Sequence, residues 1–237
     1  MSLRPTELPV IGLAHGSRHA GVASALADLM DAVGDRCGAP ARAAFLDLTE
    51  PDLETVASGL AAEGYERAVV VPLLFTAAFH ATIDVPQTVR AAADASRVDL
   101  IVADIIGTGD DVVQLLQASA ADSDIPNNAS LLLFAVGSSR EAANAAVHDL
   151  AARLESVRSA TVLAAFGTSE PRPEAVIDQL PEPRAIVPLF LSPGLLLGPL
   201  ADLAAERGWP IADPIGVRAA AVIADRYARA VSSAGLR

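Results

Sequence analysis

Cysteine is nearly absent from this chain of 237 residues, because Cys37 is the single one. One cysteine cannot form a disulfide within the chain, so an oxidised, disulfide-stapled scaffold is excluded. The first ten residues, Met1 to Val10, also lack the long apolar run of a signal peptide. We therefore expect a cytoplasmic protein.

Positive charge is scarce as well, with 17 Lys and Arg against 29 Asp and Glu and a net charge of -12. Such a chain has no basic stripe with which to bind a phosphate backbone, so general nucleic-acid binding is excluded. An anionic small molecule would have to be held by a local group of cations. Hydrophobic residues make up 52% of the chain, enough for one large or two small cores.

One uncharged run, Ala185 to Ala201, is nearly long enough for a membrane span. A helix exposed to lipid needs an unbroken backbone hydrogen-bond ladder, which prolines and glycines interrupt. The run contains five of them: Pro188, Pro193, Gly194, Gly198 and Pro199. It is interpreted as a buried strand, a loop and the start of a helix, and no membrane partner is expected.

Short apolar runs alternate with amphipathic segments along the first half of the chain. The apolar runs are Val10 to Ala14, Ala68 to Leu74 and Leu100 to Ala103, and the amphipathic segments include Val22 to Val33 and Leu53 to Ala62. This alternation is typical of a parallel sheet with helical crossovers. Continuous rather than alternating hydrophobicity in the run from Ala68 further indicates a strand covered on both faces.

The same plan repeats after a short polar segment around Asp122 to Ser130. Four blocks match in order: Gly12 to Arg18 with Leu133 to Ser139, Ala44 to Pro51 with Ala165 to Pro171, Val71 to Thr76 with Val187 to Ser192, and Ala103 to Gly107 with Ala212 to Gly216. This internal duplication predicts an α/β protein of two similar doubly wound parallel-sheet domains. The predicted boundaries are 1–121 for the N-terminal domain and 129–237 for a degenerate C-terminal repeat.

The two halves differ mainly in polar residues. The replacements are His15 by Val136, His80 by Leu196, Asp84 by Leu200, and Asp47 by Gly167 or Thr168 depending on where a gap is placed. In contrast, Glu50 and Glu54 recur as Glu170 and Glu174, which favours a shared structural role at a helix start. A scaffold that loses its polar ligands in one copy indicates one working site, in the first half.

Three of the residues kept only in the first half are expected at one edge of its sheet. His15 ends the first strand, His80 lies in the loop after the third, and Asp47 follows the second predicted strand, Arg42 to Leu46. Ligands of doubly wound sheets bind at the carboxyl ends of the strands. Two imidazoles and a carboxylate there suit a divalent ion such as Fe²⁺ or Co²⁺ and leave coordination positions open. The alternative for an isolated histidine is a turn residue bonded to a backbone carbonyl.

Other interpretations of the same region remain open or weak. Asp84 could orient His80 from one helical turn away, or it could cap the helix that Pro86 opens. The turn from Gly16 to Arg18 precedes a helix and could attract an anion, but it lacks the glycine spacing of a dinucleotide or P-loop motif. The His-Gly pair is also found in acid phosphatases, but the arginine expected before it is Ala14.

With these motifs in view, the sequence resembles the class II sirohydrochlorin chelatases of the CbiX/SirB type over nearly its whole length. The resemblance is carried by the segments Leu13 to Arg18, Ala44 to Pro51 and Val71 to Pro86. The family has an Asp-Ile-Pro triplet four residues after a histidine, and here it reads Asp84-Val85-Pro86. The family usually has Glu at the position of Asp47, so direct metal ligation by this shorter side chain is left open.

The resemblance implies a lyase that inserts Fe²⁺ or Co²⁺ into sirohydrochlorin in sirohaem or cobalamin biosynthesis, with no organic cofactor. It implies that His15 and His80 hold the metal and accept pyrrole protons, with Asp47 assisting. Arg18 and Arg90, with Arg184 of the second half as a further candidate, are expected to bind the substrate's carboxylates, and Ser17 is assigned to substrate binding together with Arg18 and Arg90. A monomer with a fused pseudo-dimer is expected. Two alternatives stay open: a carrier of metal or tetrapyrrole that performs no insertion, and a different α/β enzyme on the same fold.

Overall fold

A computed structural model describes residues 8–77 and 84–235. In chain order, its strands are β1 (Val10–Ala14), β2 (Ala41–Phe45), β3 (Arg67–Pro72), β4 (Asp99–Val102), β5 (Ser130–Ala135), β6 (Val162–Phe166) and β7 (Arg184–Pro188). Its helices are α1 (Val22–Cys37), α2 (Leu53–Ala62), α3 (Val85–Ser96), α4 (Asp110–Asp122), α5 (Glu141–Arg158), α6 (Pro173–Val176), α7 (Leu197–Arg207) and α8 (Ala220–Ser233). The predicted alternation of strands and helices is confirmed in both halves.

The first compact unit combines residues 8–107 with residues 219–235. Its four strands are all parallel and lie in the order β2-β1-β3-β4. The chain moves outward from β1 to β2 and then crosses back over β1 to reach β3. This reversal makes the carboxyl end of β1, next to β3, the topological switch point where ligands of doubly wound sheets bind.

Helices cover both faces of this sheet, as the continuous apolar run in β3 predicts. On one face, Ile11 and Leu13 of β1 join a buried cluster with Leu53 and Leu60 of α2 and with residues of α3. On the other face, α1 packs against β2 and α8, and α8 also packs against β3. Each large apolar side chain buried in this way stabilises the fold by roughly 1.5–3 kcal/mol.

The second unit comprises residues 108–218 and repeats this plan with a shorter sheet. Its strands are parallel in the order β6-β5-β7, with α4 and α5 packed together and α7 packed against β7. The expected fourth strand is reduced to a single bridge between Ile186 and Ile211. Pro210 and Pro214 flank that bridge, and a proline has no amide hydrogen to donate to a ladder.

The compact units differ from the predicted domain boundaries in the placement of two helices. Helix α4, inside the predicted N-terminal domain 1–121, packs within the second unit, and α8, inside the predicted domain 129–237, packs within the first. In α8, Arg226 donates hydrogen bonds to the carbonyl oxygens of Ile105 and Ile106, 3.1 and 2.7 Å away. The predicted boundaries follow the sequence repeat, whereas the last helix of each repeat completes the other unit.

Several local predictions are confirmed closely. Strand β1 and helix α2 have the predicted bounds, and β2 begins and ends one residue earlier than predicted. The uncharged run from Ala185 folds as β7, a loop and the start of α7, as its prolines indicate. Across the described ranges, 8–77 and 84–235, the helices fall short of the length and apolarity that crossing a membrane requires.

Candidate functional site

His15 follows directly after β1, at the switch point of the first sheet. The strand before it is fully buried between β2 and β3, whereas the His15 side chain is exposed. A rigid central strand therefore presents this imidazole to solvent at the edge where the topology predicts a ligand. His80, the second predicted metal ligand, lies outside the described residues.

Asp47 lies beside His15 because the loops after β1 and β2 are joined through their backbones. The amide of Asp47 donates a hydrogen bond to the carbonyl oxygen of His15 at 3.0 Å, and the amide of Leu46 donates one to Ala14 at 2.8 Å. The pairing of β1 and β2 thereby continues past the strands, by one residue after β1 and by two after β2. The predicted convergence of positions 15 and 47 at one sheet edge is thus observed.

The carboxylate of Asp47 is turned partly into its own loop. Its Oδ1 accepts a hydrogen bond from the amide of Leu48 at 2.8 Å, and the side chain is exposed. This bond uses one of the four lone-pair sites of the carboxylate, so by itself it does not prevent Asp47 from binding a metal ion. Within residues 8–77 and 84–235, no group of three or more His, Cys, Asp or Glu side chains could hold a metal ion. The proposed ligand set includes His80 and so extends beyond those residues.

Gly16 makes the close approach of the two loops possible. It has φ of 94°, in the region that favours glycine, and a Cβ at this position would lie 1.8 Å from the carbonyl oxygen of Asp47. Any side chain at position 16 would push the loop of Asp47 away from His15. The matching Gly137 in the second unit has φ of 90° and a similar close neighbour, Ser169.

Thr49 forms a second link between the loops, and sequence reasoning did not identify it. Its Oγ1 accepts a hydrogen bond from the amide of Ser17 at 3.0 Å and donates one to the carbonyl oxygen of Ser17 at 2.8 Å. Both backbone groups of Ser17 are thus bound by one hydroxyl. The signal that could have found it is the hydroxyl residue at the matched position of the second half, Ser169.

The residues assigned to substrate binding have different surroundings. The hydroxyl of Ser17 accepts a hydrogen bond from the amide of His19 at 3.2 Å, so it shapes the turn that leads into α1. Arg18 is exposed at the same edge, in the turn between His15 and α1. Arg90 is exposed on α3, past the segment that contains His80. Their roles toward a substrate stay predictions.

The sequence suggests structural roles for two acidic residues near the site, Asp84 and Glu50. Asp84 stands at the N-cap position of α3, but its side chain makes no capping hydrogen bond to the described residues of that helix. The capping interpretation of Asp84 is therefore not supported. Glu50 accepts a hydrogen bond from the amide of Asp52 at 3.2 Å, and Glu170 accepts the matching bond from Arg172 at 3.1 Å, which confirms a shared structural role for this glutamate pair.

The loop after β2 also encloses a shallow cavity of about 380 Å³, lined by Phe45, Leu46, Asp47, Leu48, Thr49, Glu50 and Asp52. Asp52 caps α2 by accepting a hydrogen bond from the amide of Thr55 at 2.8 Å. That interaction with Thr55 lowers the pKa of the Asp52 carboxyl below its usual value. Three carboxylates, those of Asp47, Glu50 and Asp52, thus line this cavity together with apolar side chains.

The corresponding edge of the second unit has neither an imidazole nor a carboxylate at the positions that match His15 and Asp47. The amide of Thr168 donates to the carbonyl oxygen of Val136 at 2.8 Å, so in the repeat Thr168 is equivalent to Asp47 and Val136 is equivalent to His15. This match resolves the gap that the sequence left open. The Thr168 hydroxyl also donates to the Val136 carbonyl, and Leu196 lies against Gly167.

The family model of CbiX matches residues 9–123 and 130–207, which include most of both repeats. The chain belongs to the CbiX family. The resemblance inferred from the motifs of the first half is thereby confirmed, and the second match supports the duplication. His15 and Asp47 both lie within the first matched segment, so the sheet edge described above belongs to the part of the chain that matches the family.

Two curated relatives support the same assignment. The sirohydrochlorin ferrochelatase of Bacillus subtilis (strain 168) is 30% identical over 133 residues, which are 55% of this chain and 51% of the relative. A sirohydrochlorin cobaltochelatase of Sulfolobus acidocaldarius is 32% identical over 76 residues, which are 32% of this chain and 60% of the relative. The chain thus spans about half the length of the first relative and 60% of the second.

A solved structure of SirB from Bacillus subtilis with Fe³⁺ has the same fold. It matches with a TM-score of 0.79 at 23% identity, and the match covers 97% of each chain. The predicted fold class, two similar doubly wound α/β domains in a chelatase-like arrangement, is confirmed by this likeness together with the two parallel sheets.

Proposed function

We propose that this chain is a sirohydrochlorin chelatase, a lyase that inserts Fe²⁺ or Co²⁺ into sirohydrochlorin in sirohaem or cobalamin biosynthesis. The observation that carries the proposal is the position of His15, exposed at the switch point of the first sheet, within a segment that matches the CbiX family. The ferrochelatase and cobaltochelatase relatives support both metals as substrates. A cytoplasmic location and the absence of an organic cofactor belong to the same proposal.

The reaction exchanges two protons for one divalent ion. The two pyrrole N–H groups of the macrocycle lose their protons, and the ion exchanges water and protein ligands for four ring nitrogens. A neutral imidazole suits both steps near pH 7, because it binds a borderline divalent ion and can also take up a proton. In this proposal His15 and His80 deliver the ion and receive the protons, which then pass to solvent.

Asp47 supports His15 in this scheme. Its backbone amide donates to the His15 carbonyl, so the main chain of the acidic residue is held next to that of the histidine. A negative charge there favours the approach of a cation. Arg18 and Arg90, exposed in the first loop and on α3, are proposed to bind the peripheral carboxylates of the macrocycle.

The test is an anaerobic insertion assay with sirohydrochlorin and excess Fe²⁺, Co²⁺ or Ni²⁺, followed through the absorption change of the macrocycle. Repeated turnover over the uncatalysed rate supports the proposal. A stoichiometric complex that never turns over would instead identify a carrier. H15A and H80A are expected to lose most activity with each metal that the parent protein uses. The matched control is H148A, because His148 lies on α5 with its ring edge against Phe166.

A further inference from the structure

Leu48 is an exposed apolar residue in the loop that carries Asp47. Its side chain is 46% exposed, although leucine is among the residues most often buried. It lines the same cavity as Asp47 and Thr49, the residues that bond to the loop of His15. An apolar group thus stands in water beside the candidate site.

The backbone of Leu48 is held in a conformation that leucine disfavours. Its φ is 63°, in the left-handed region where only glycine, asparagine and aspartate are common. The carboxylate of Asp47 accepts the Leu48 amide at 2.8 Å, and the Thr49 amide donates to the Asp47 carbonyl at 2.8 Å. A glycine would satisfy these bonds without strain, so the leucine side chain is unfavourable for the loop itself. Such strain is typically retained where the side chain has a function.

The second unit shows that the sheet edge can be built without this residue. The amide of Phe45 bonds to the carbonyl of Pro51, six residues on, whereas the matching amide of Phe166 bonds to Pro171, five residues on. Asp47 matches Thr168 by its backbone bond, and Thr49 matches Ser169 by its contact with the glycine of the facing loop. Leu48 is therefore the residue that the loop of the first unit has and the matching loop of the second unit lacks.

We infer that Leu48 contacts the apolar ring face of the tetrapyrrole and so helps to set its position over His15. This inference rests on the proposed function. Asp47, Glu50 and Asp52 line the cavity beside Leu48 and disfavour the substrate's peripheral carboxylates there. The ring face of the macrocycle carries no charge. It can therefore approach this acidic wall and cover the exposed side chain of Leu48. Covering that leucine removes apolar surface from water and favours binding.

The test measures binding of metal-free sirohydrochlorin directly, by titration of its fluorescence. L48G and L48N both accept the left-handed conformation and keep the loop intact, so a change in binding reports the lost side chain. We expect each to raise the dissociation constant roughly tenfold, in line with the area that a half-exposed leucine can bury. L48M, which restores an apolar side chain of similar size, is expected to recover most of the loss. The control is V157N, since Val157 is 54% exposed in the last turn of α5.

Turnover assays then separate this inference from the proposed function. If the parent protein binds sirohydrochlorin but inserts no metal, the proposed function fails while the titration still decides the role of Leu48. Binding by L48G and L48N equal to that of the parent protein overturns the inference. If L48M lost as much binding as L48G and L48N, the inference would also be overturned. The loss would then come from a disturbed loop and not from a missing apolar side chain. A parent protein that binds no tetrapyrrole overturns both.

Discussion

The backbone amide of Asp47 donates a hydrogen bond to the carbonyl oxygen of His15 at 3.0 Å, which makes the two loops of the candidate site one continuous edge. This bond continues the β1–β2 register past the last residue of each strand. The histidine and the acid are therefore fixed relative to each other by the main chain, before any side-chain contact is considered. Substitutions that disturb this backbone contact should affect insertion even when neither polar side chain is altered.

The first prediction concerns Thr49, whose hydroxyl binds both the amide and the carbonyl of Ser17. T49V keeps the shape of the side chain but removes both hydrogen bonds, each worth about 1 kcal/mol of stability. We expect kcat/KM for metal insertion to fall roughly tenfold, which corresponds to about 1.4 kcal/mol. T49S should restore most of the activity, because it restores the hydroxyl.

The control for Thr49 is S169A, which removes the matched hydroxyl of the second unit and its hydrogen bond from Asn144. This variant should lose less stability than T49V, because it removes one hydrogen bond instead of two, and it should lose little insertion activity. If T49V and S169A reduced activity equally, the link would be a general stabilising feature and not a device that positions His15.

The second prediction concerns Gly16 and Gly64, which have nearly the same positive φ but different surroundings. Gly16 and Gly64 have φ of 94° and 93°, but a Cβ at Gly16 would lie 1.8 Å from the Asp47 carbonyl oxygen, whereas one at Gly64 has nothing within 4 Å. G64A should cost about 1 kcal/mol for the unfavourable φ. G16A should cost roughly 2 kcal/mol more, because overpacking is added to the same strain. Urea denaturation measures both, and equal losses would contradict the collision at Gly16.

Much of the fold follows from apolar patterning. The run from Val10 to Ala14 is β1 to the residue, and the periodicity from Leu53 to Ala62 is α2, because buried strands and amphipathic helices impose spacings that the sequence must respect. The duplication also indicated that polar residues kept in one half mark the site. The backbone contact between positions 15 and 47 recurs between Val136 and Thr168, so it belongs to the shared fold, and the role of the polar side chains stays a prediction.

Other features could not be read from the chain. A repeat predicts that a final helix covers a sheet but not which of two similar sheets it covers, so the exchange of α4 and α8 was missed. The bonds of Thr49 join positions 32 residues apart and involve the backbone of Ser17. The recurrence of a hydroxyl residue at Ser169 points to position 49, but nothing in the sequence points to its partner. Leu48 can be identified as the extra residue only from the backbone hydrogen bonds of both loops, which show where the gap lies.

The third prediction concerns pH. The hydrogen bonding to Thr55 that caps α2 lowers the pKa of Asp52. A carboxyl whose folded pKa lies below its unfolded value, about 3.9, stabilises the fold above that pH and loses this contribution as the pH falls through the folded pKa. D52A should therefore cost about 1 kcal/mol at pH 7 and progressively less below pH of about 4. The side chain is exposed, so screening by solvent keeps the effect small.

The control for Asp52 is D52N, which keeps an N-cap acceptor but cannot titrate. Its free energy of unfolding should lie close to that of the parent protein at pH 7 and should lack the extra loss in acid. Urea denaturation between pH 7 and 3 measures all three proteins. A constant difference between D52A and the parent protein over this range would show that the cap does not depend on the charge.

The last prediction concerns Arg226, which lies on α8 and completes the first unit from the far end of the chain. The residue is 8% exposed and donates to the carbonyls of Ile105 and Ile106, which follow β4. R226A leaves two carbonyl oxygens without their donor in a largely buried place, so we expect a loss of about 2–3 kcal/mol in the free energy of unfolding.

Arg229, on the same helix, pairs with Asp225 at 2.9 Å but is 65% exposed, so R229A should cost less than about 0.5 kcal/mol. If the two variants were equally stable in urea, α8 would not be anchored to the first unit through Arg226. Loss of the Arg226 bonds should also loosen the chain after β4, which pairs with β3. In R226A, hydrogen exchange should therefore become faster at the amide of Ala103, which donates to Val70 of β3 at 2.9 Å.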